Sequence, residues 1–334
     1  MREFDLNAVI VSSRVRIARN LESGLTFDTS ESRAFDVVAG TITKRNEDFL
    51  STKVSAIAPR MTKALFEQHL ISKELLANKK NSWIVVRKDN KVCVMLGEED
   101  HIRIQSIHQG MALRRAFDES MKIAESISAE HKLAFRDDFG YLTSCPTNLG
   151  CGMRASVMLF LPALTMTNQV GYIIDRFRDE HRITVRGVYG EGSEAGGYMY
   201  QISNQACLGM SEQSIIENVE DIALQIAKME VELQQKMFAD DPELIIDQVF
   251  RSWGVLTNVL MITTSEAVDH LAMLKLGACL DIIGLKNNKV LDDLFFTIQP
   301  ATMVTQDDRA ASVRERDKIR AAKIAGELRA LRIK

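Results

Sequence analysis

The chain is short of several things that would place it quickly. Its five cysteines are an odd number, at Cys93, Cys145, Cys151, Cys207 and Cys279. No two form a C-x-x-C pair, so zinc-ribbon and thioredoxin-like readings fall away and free thiols in a reducing compartment are expected. No apolar run approaches the ~18 residues that span a bilayer. The start, Met1-Arg2-Glu3-Phe4-Asp5, lacks the apolar stretch of a secretory signal, and a cytoplasmic protein is expected. A net charge of −3 over 334 residues argues against nucleic-acid binding by bulk electrostatics, so any basic site must be local. There is no G-x-x-x-x-G-K-[ST] loop, and neither the H-R-D nor the D-F-G element of protein kinases. Internal repeats and low-complexity segments are also missing.

What is present is a core-forming composition, 46% hydrophobic and 26% charged, and a set of arginines in short clusters. They are Arg14 and Arg16 in Ser12-Ser13-Arg14-Val15-Arg16, Arg103 after Glu98-Glu99-Asp100-His101-Ile102, Arg154 after Gly150-Cys151-Gly152-Met153, and Arg186 in Val185-Arg186-Gly187. Residues 8–17 read as a strand, which puts Arg14 and Arg16 on one face, ~7 Å apart. Two guanidinium groups on one face repel unless an anion lies between them. Fixed guanidinium groups suit a triphosphate and the charge of a phosphoryl group in transfer.

Carboxylates in the same set, Glu99 and Glu191, are out of place in a pure phosphate site but suit a cationic acceptor. An acceptor guanidinium, with its pKa above ~12, has no lone pair to offer. Two carboxylates would orient it and take its proton as the phosphoryl group arrives. Glu98, Glu99 and Asp100 read either as a solvated turn or as a divided set, one orienting the cation and its neighbours reaching Mg²⁺ through water. No set of metal-ligating residues is assigned. Cys145 reads either as a buried free thiol or as a thiolate beside the cation. His69 and His101 stand between core histidines and nucleotide contacts.

The pattern along the chain is mixed. Ser30 or Ser32 caps a helix running to about Leu50, and Pro59 opens a second helix through Leu76 that carries His69. Residues 83–88 and 91–96 form a β-hairpin across Asp89-Asn90, which makes the sheet at least partly antiparallel. Ile102, Ile104 and Ile107 continue a strand, and a helix spans about Met111 to His131. Residues 144–152 are a loop. Arg154 then begins an apolar helix kinked at Pro162, an anion site by virtue of its helix start. Ile183–Val188 and Tyr198–Ser203 read as strands, joined by a stretch, 187–197, with five of the chain's 18 glycines. From Ser211 the strong signals are helical: Ser211 to Phe238, Pro242 to Trp253 with Asp241 as cap, Ser265 to Leu280, and Val313 to Arg332. A boundary near Asp240 divides the chain into 1–239 and 240–334.

The ordered clusters, with Cys145-Pro146-Thr147-Asn148-Leu149-Gly150, Arg154-Ala155-Ser156-Val157 and Gly190-Glu191, resemble the ATP:guanidino phosphotransferases, the phosphagen kinase superfamily. The resemblance spans nearly all of the first 210 residues. It implies an α+β fold with a large antiparallel sheet flanked by helices, followed by an all-helical carboxy-terminal domain. It implies ATP, with Mg²⁺ held mainly through the nucleotide and waters. It implies nucleotide contacts along Ser12, Ser13, Arg14, Val15 and Arg16, at His69 and Arg103, along Arg154, Ala155, Ser156, Val157 and Met158, and along Arg186, Gly187, Val188, Tyr189, Gly190 and Glu191. Glu99 and Glu191 would pair with the acceptor guanidinium, with Cys145 beside it. Cys151 and Met153 depart from the family's usual Gly-Thr-Gly-Leu-Arg spelling without removing a charged group.

Two features choose the branch. The helical domain that precedes the first arginine motif in creatine and arginine kinases has no counterpart before Ser12. Arg316-Asp317-Lys318-Ile319-Arg320-Ala321 resembles the R-D-x-x-R-A element of the bacterial protein arginine kinase branch. There it implies a phosphoarginine-binding pocket of Arg316, Asp317, Arg320 and Ala321; read alone, it is a charged helix with an i,i+4 arginine pair. The branch further implies arginine-bearing protein substrates, an activator protein, an AAA+ Clp unfoldase or protease as partner, a role in stress response, and a homodimer. A small-molecule guanidino kinase and a non-catalytic phosphoarginine-binding adaptor are the rival readings.

Overall fold

The computed structural model describes residues 6–22, 32–45, 47–187, 196–284 and 289–329. Its centre is an eight-stranded sheet in the order β2-β3-β4-β5-β1-β8-β10-β9. These strands are β1 (Ile10–Arg19), β2 (Phe49–Lys53), β3 (Trp83–Arg87), β4 (Val92–Leu96), β5 (Ile102–Gln109), β8 (Met153–Phe160), β9 (Ile183–Gly187) and β10 (Met199–Asn204). A separate hairpin pairs β6 (Phe135–Arg136) with β7 (Gly140–Tyr141). Every paired neighbour in the large sheet is antiparallel. The large antiparallel sheet expected from the hairpin and the resemblance is therefore present.

The two faces of the sheet have different jobs, and the period of two along each strand divides them. Val15, Ile17, Ile104, Ala155, Val157 and Ile202 are fully buried on one face. They pack under α1 (Ser32–Arg45), α4 (Leu113–Ser128), α6 (Val170–His181) and α7 (Glu212–Asp240) in the largest apolar cluster. The other face carries Arg14, Arg16, Arg103 and Arg154. Two smaller clusters flank it. One joins Cys93 and Met95 to the region of α2 (Pro59–Glu67) and α3 (Lys73–Ala77). The other joins Phe160 and Met199 to the carboxy-terminal helices. A groove lined by arginines is left between them.

The carboxy-terminal helices are α8 (Pro242–Asn258), α9 (Thr264–Cys279), α10 (Lys289–Thr297), α11 (Pro300–Gln306) and α12 (Val313–Arg329), with α5 (Pro162–Met166) earlier in the chain. Asp241 caps α8 by accepting from Leu244 N at 3.1 Å, and Pro242 occupies its first turn. The helical region is tied to the sheet region at a second point. Glu67, at the end of α2, accepts from Ala301 N at 2.8 Å and Thr302 N at 2.7 Å, satisfying donors at the start of α11.

Three expectations are corrected. Residues 153–160 form the strand β8, not a helix; the apolar run from Val157 to Leu161 reads continuously because the end of this central strand is covered on both sides along much of its length. Pro162 begins the next helix instead of kinking one, and Arg154 has no helix terminus beside it. The first helix ends at Arg45, and Phe49 and Leu50 enter β2. The second breaks after Glu67, because His69 takes a left-handed backbone (φ 58°) before Ser72 caps α3. The helices α10 and α11 had no counterpart in the sequence reading.

Candidate active site

Strand register brings together side chains that lie far apart in sequence. Arg16 sits directly across from Arg154 on β8, and Ala18 across from Arg103 on β5. Arg14 shares their face and donates to Gln201 Oε1 at 2.9 Å, while Arg154 donates to Ser203 Oγ at 2.9 Å. Arg186 lies across from Gln201 and is exposed. The cost of this crowding appears in the acidities. Burial, then Arg103 and Arg154, lower the Arg14 pKa to about 10. Burial and the neighbouring Arg14, Arg103 and Arg154 push Arg16 well down. Arg154 is lowered by burial, Arg186 and Arg103. A polyanion relieves each of these repulsions at once, so the cluster is built for one.

The acidic turn between β4 and β5 is held rigidly. Gly97 has φ 77°, and a Cβ there would lie 2.8 Å from the Phe35 ring, so glycine is required. Glu98 is buried and paired with Arg103. Asp100 accepts from Asn20 Nδ2 and Ser144 N, each at 2.7 Å. His101 accepts from Leu21 N through Nδ1 at 3.1 Å and packs near Phe35, a structural role beneath the turn. Of the run, only Glu99 is exposed. Burial in part, then Asp100 and Glu98, raise its pKa above the usual carboxylate range. Ser144 Oγ donates to the Glu99 carbonyl at 2.8 Å, tying the Cys145 loop to the acidic turn.

A cavity of about 110 Å³ collects these groups: Arg16, Glu99, Arg103, Cys145 and Arg154 all line it. Cys145 Sγ lies 3.0 Å from Thr147 Oγ1 and is half-buried. A second cavity of about 470 Å³ continues on the same face, with Ser12, Arg14, His69, Ser156 and Met158 among its walls. Burial and Arg14 lower the His69 pKa to about 4, so its imidazole is neutral at pH 7.

Not every residue of the expected nucleotide runs faces the groove. Ser13, Val15, Ala155 and Val157 are fully buried or nearly so on the helical face. Ser13 Oγ donates to Gly110 O and accepts from Ala112 N. Strand alternation is the reason: in each run only every second side chain reaches the groove. Val188, Tyr189, Gly190 and Glu191 lie outside the described residues, and Gly187 closes β9 just before them.

In the helical region, Arg320 and Ala321 are buried. Arg320 donates from Nε to Ile298 O at 3.0 Å, and from one terminal nitrogen to Ile262 O at 2.8 Å and Asp317 Oδ1 at 2.6 Å. Nε and one terminal nitrogen of its guanidinium are thus tied to the protein itself. Arg316 is half-buried, donating to Ala311 O at 2.9 Å, and Asp317 lines a surface cavity of about 420 Å³. Arg320→Ala therefore strands two carbonyls and a carboxylate, and is expected to cost ~3 kcal/mol of stability. Arg316→Ala is expected to cost under ~1 kcal/mol. Urea unfolding of both variants measures this; equal midpoints would remove the structural role from Arg320.

The supporting residues were not read from sequence. Asn20 holds Asp100 and also accepts from His101 N at 2.7 Å, a contact 81 positions apart with no local signal. Gln201 and Ser203 did leave one, as polar residues two apart on one face of an alternating strand.

The chain that carries this set on its antiparallel sheet is similar to proteins of a known family. Residues 30–233 match the family model of the ATP:guanido phosphotransferase C-terminal catalytic domain. The chain belongs to the ATP:guanido phosphotransferase family. It is an ATP-dependent phosphotransferase, and its residues 242–334 match the model described as the protein-arginine kinase McsB C-terminal domain. Among its relatives in this family is a protein-arginine kinase of Caldanaerobacter subterraneus subsp. tengcongensis, 37% identical over 98% of this chain and 99% of the relative. Another is a protein-arginine kinase of Bacillus subtilis, 37% identical over 96% of this chain and 90% of that one. A solved lombricine kinase has the same fold, with a TM-score of 0.60, 24% identity, and coverage of 69% of this chain and 68% of that one. The duplicated taurocyamine kinase of Schistosoma mansoni, solved with transition-state analogue components, gives a TM-score of 0.59 at 25% identity, over 70% of this chain and 35% of its own. No helix among the described residues is long and apolar enough to cross a membrane.

Proposed function

We propose that this phosphotransferase is a protein arginine kinase, moving the γ-phosphoryl group of ATP to arginine side chains of proteins. The observation that carries it is the small cavity where Glu99 and Cys145 face Arg16, Arg103 and Arg154. The names of relatives aligned over nearly the whole chain support the protein-bound acceptor. In the proposed reaction the arginines hold the triphosphate and take up charge as the γ-phosphoryl group leaves ADP. Glu99 aligns the acceptor guanidinium and receives the proton that its attacking nitrogen loses. Glu191 is proposed as the second carboxylate on the acceptor, with Cys145 beside them.

Mg²⁺ fits this donor set only as a passenger of the nucleotide. Glu98 is paired with Arg103, and Asp100 accepts from Asn20 and Ser144 through Oδ1, so both acids are held first by the protein itself. Among the described residues no group of three or more His, Cys, Asp or Glu is placed to hold an ion. Bound through phosphate oxygens and waters, Mg²⁺ would screen charge between the β- and γ-phosphates.

Residues 1–239 are proposed as the catalytic domain and 240–334 as a helical domain for dimerisation and phosphoarginine binding. Leu244, Phe250 and Leu260, 50%, 48% and 86% exposed, support a homodimer through the helical region. Arg316 and Asp317 are proposed to meet the phosphoarginine, with Arg320 and Ala321 shaping the support behind them. A cytoplasmic setting, a stress-response role, an activator protein and a Clp-type partner complete the proposal by analogy with the branch.

The test is incubation with labelled ATP and an arginine-rich protein, and separately with free arginine, quenched without acid. Label on protein arginine is the expected result. Label on free arginine alone would make the protein a small-molecule guanidino kinase, and label on neither would leave the adaptor.

A further inference from the structure

The larger cavity has a wall that the sheet does not provide. Helix α10, from the carboxy-terminal helical region, contributes Lys289, Asp292, Asp293 and Phe296 to it. Across from them stand His69, Ile107 and Met158 from the amino-terminal part of the chain. The His69 and Phe296 rings meet edge to face, with centroids 6.3 Å apart and planes at 89°. Gln109 Nε2 donates to Asp293 Oδ1 at 3.4 Å, a long and weak bond. Asp292 is occupied differently, by an ion pair to the buried Lys275, whose ammonium lies 5.4 Å from the centre of the Phe160 ring. Asp292 thus fixes α10 against α9, and Asp293 and Phe296 are presented from a braced helix.

The position of this cavity along the arginine row gives it a ligand. Arg16 lines the small cavity and Arg14, two residues along β1, lines the large one. A triphosphate bound with its terminal group at Arg16, Arg103 and Arg154 carries its remaining part past Arg14 into the larger space. Beyond Arg14 the walls carry Ile107, Met158 and Phe296 together with the carboxylates Asp292 and Asp293, among polar neighbours that include Gln68, Lys91 and Lys289. Apolar surface with an aromatic ring suits a base, and an exposed carboxylate suits the neighbouring hydroxyl pair of a ribose. A cavity of about 470 Å³ has the dimensions of a small-molecule site.

We infer that helix α10 of the carboxy-terminal region completes the nucleoside end of the site, with Phe296 packing on the base and Asp293 accepting from the ribose hydroxyls. This rests on the nucleotide reading above and deepens it. The sheet region grips the phosphates and the helical region reads the nucleoside, so a nucleotide bridges the two. Asp293 and Phe296 are specificity-determining residues of the donor, not participants in the transfer. Asp292 and Lys275 are positioning residues.

Binding of three probes to the full-length protein tests this: ATP, 2′,3′-dideoxy-ATP and inorganic tripolyphosphate. Asp293→Asn is expected to weaken ATP about tenfold and leave tripolyphosphate unchanged. The wild type is expected to bind dideoxy-ATP about as weakly as Asp293→Asn binds ATP. Phe296→Ala is expected to weaken both nucleotides about tenfold and tripolyphosphate not at all. Thermal unfolding checks that each variant is folded. If the wild type prefers ATP to tripolyphosphate and neither variant alters that preference, the role of α10 is overturned. So too if the variants lose tripolyphosphate and ATP equally, since the arginine row is then disturbed. If the wild type itself binds ATP no better than tripolyphosphate, the nucleoside reading of the cavity fails as a whole, whatever acceptor the enzyme uses.

Discussion

Arg154→Ala is expected to lower kcat/KM for phosphorylation of protein arginine by about three orders of magnitude, ~4 kcal/mol of transition-state stabilisation. Arg154 sits between two other guanidinium groups and lines the small cavity with Glu99 and Cys145. Its nitrogens are oriented by Ser203 Oγ, at 2.9 Å and 3.3 Å, so little ordering entropy is lost when phosphate oxygens arrive. Burial and neighbouring arginines already oppose its charge, and the charge spread over a migrating phosphoryl group answers that opposition more than the ground-state triphosphate does. The loss should therefore fall mainly on kcat. Arg154→Lys keeps the charge but loses the planar fork, and is expected to recover only part of the rate. Steady-state kinetics over ATP concentration separate the two parameters. A variant that loses affinity for ATP while keeping full kcat would make Arg154 a ground-state binder.

The second large effect is Glu99→Gln, expected to reduce kcat by ~10²–10⁴-fold with ATP binding retained. Glutamine preserves shape but cannot take a proton. Glu99 is the exposed carboxylate of a turn whose other two acids are committed to Arg103 and to Asn20 with Ser144. Partial burial and those two neighbouring acids raise its pKa. The sign follows: Glu99 works as a base only when ionised, so activity should fall as pH drops through that raised value. The acid limb should lie above the range of an ordinary exposed glutamate. Glu99→Gln should flatten that limb along with lowering the rate. A variant whose pH profile keeps the same acid limb would assign the titration to another group.

The arginine row and the acidic turn were legible because they are local. Arg14 and Arg16 are two apart on a strand, and Glu99 and Arg103 are separated by only a few residues, so spacing alone suggests their faces. The β-hairpin across Asp89-Asn90 was readable for the same reason, with Asn90 taking the left-handed backbone the turn requires (φ 58°). Residues 153–160 differ from the helix expected of them because the unbroken apolar stretch from Val157 suits a buried central strand and a buried helix alike. Only pairing partners distinguish them, and those partners, β1 and β10, lie far off in sequence. Within the nucleotide runs, alternation along the strand expected over 8–17 is enough to turn Val15 inward, whereas Ala155 and Val157 turn inward only once 153–160 is known to be a strand.

Charge type and order along the chain were enough to specify phosphoryl chemistry on a cationic acceptor, because those properties belong to each residue wherever it folds. Convergence was not available in that way. The direct opposition of Arg16 and Arg154, the binding of Asp100 by Asn20, the burial of Arg320 and the approach of helix α10 to the sheet all depend on contacts across scores of residues. Such contacts are selected by the packing of the whole apolar core and by backbone hydrogen-bond register, and no short stretch of chain encodes either one.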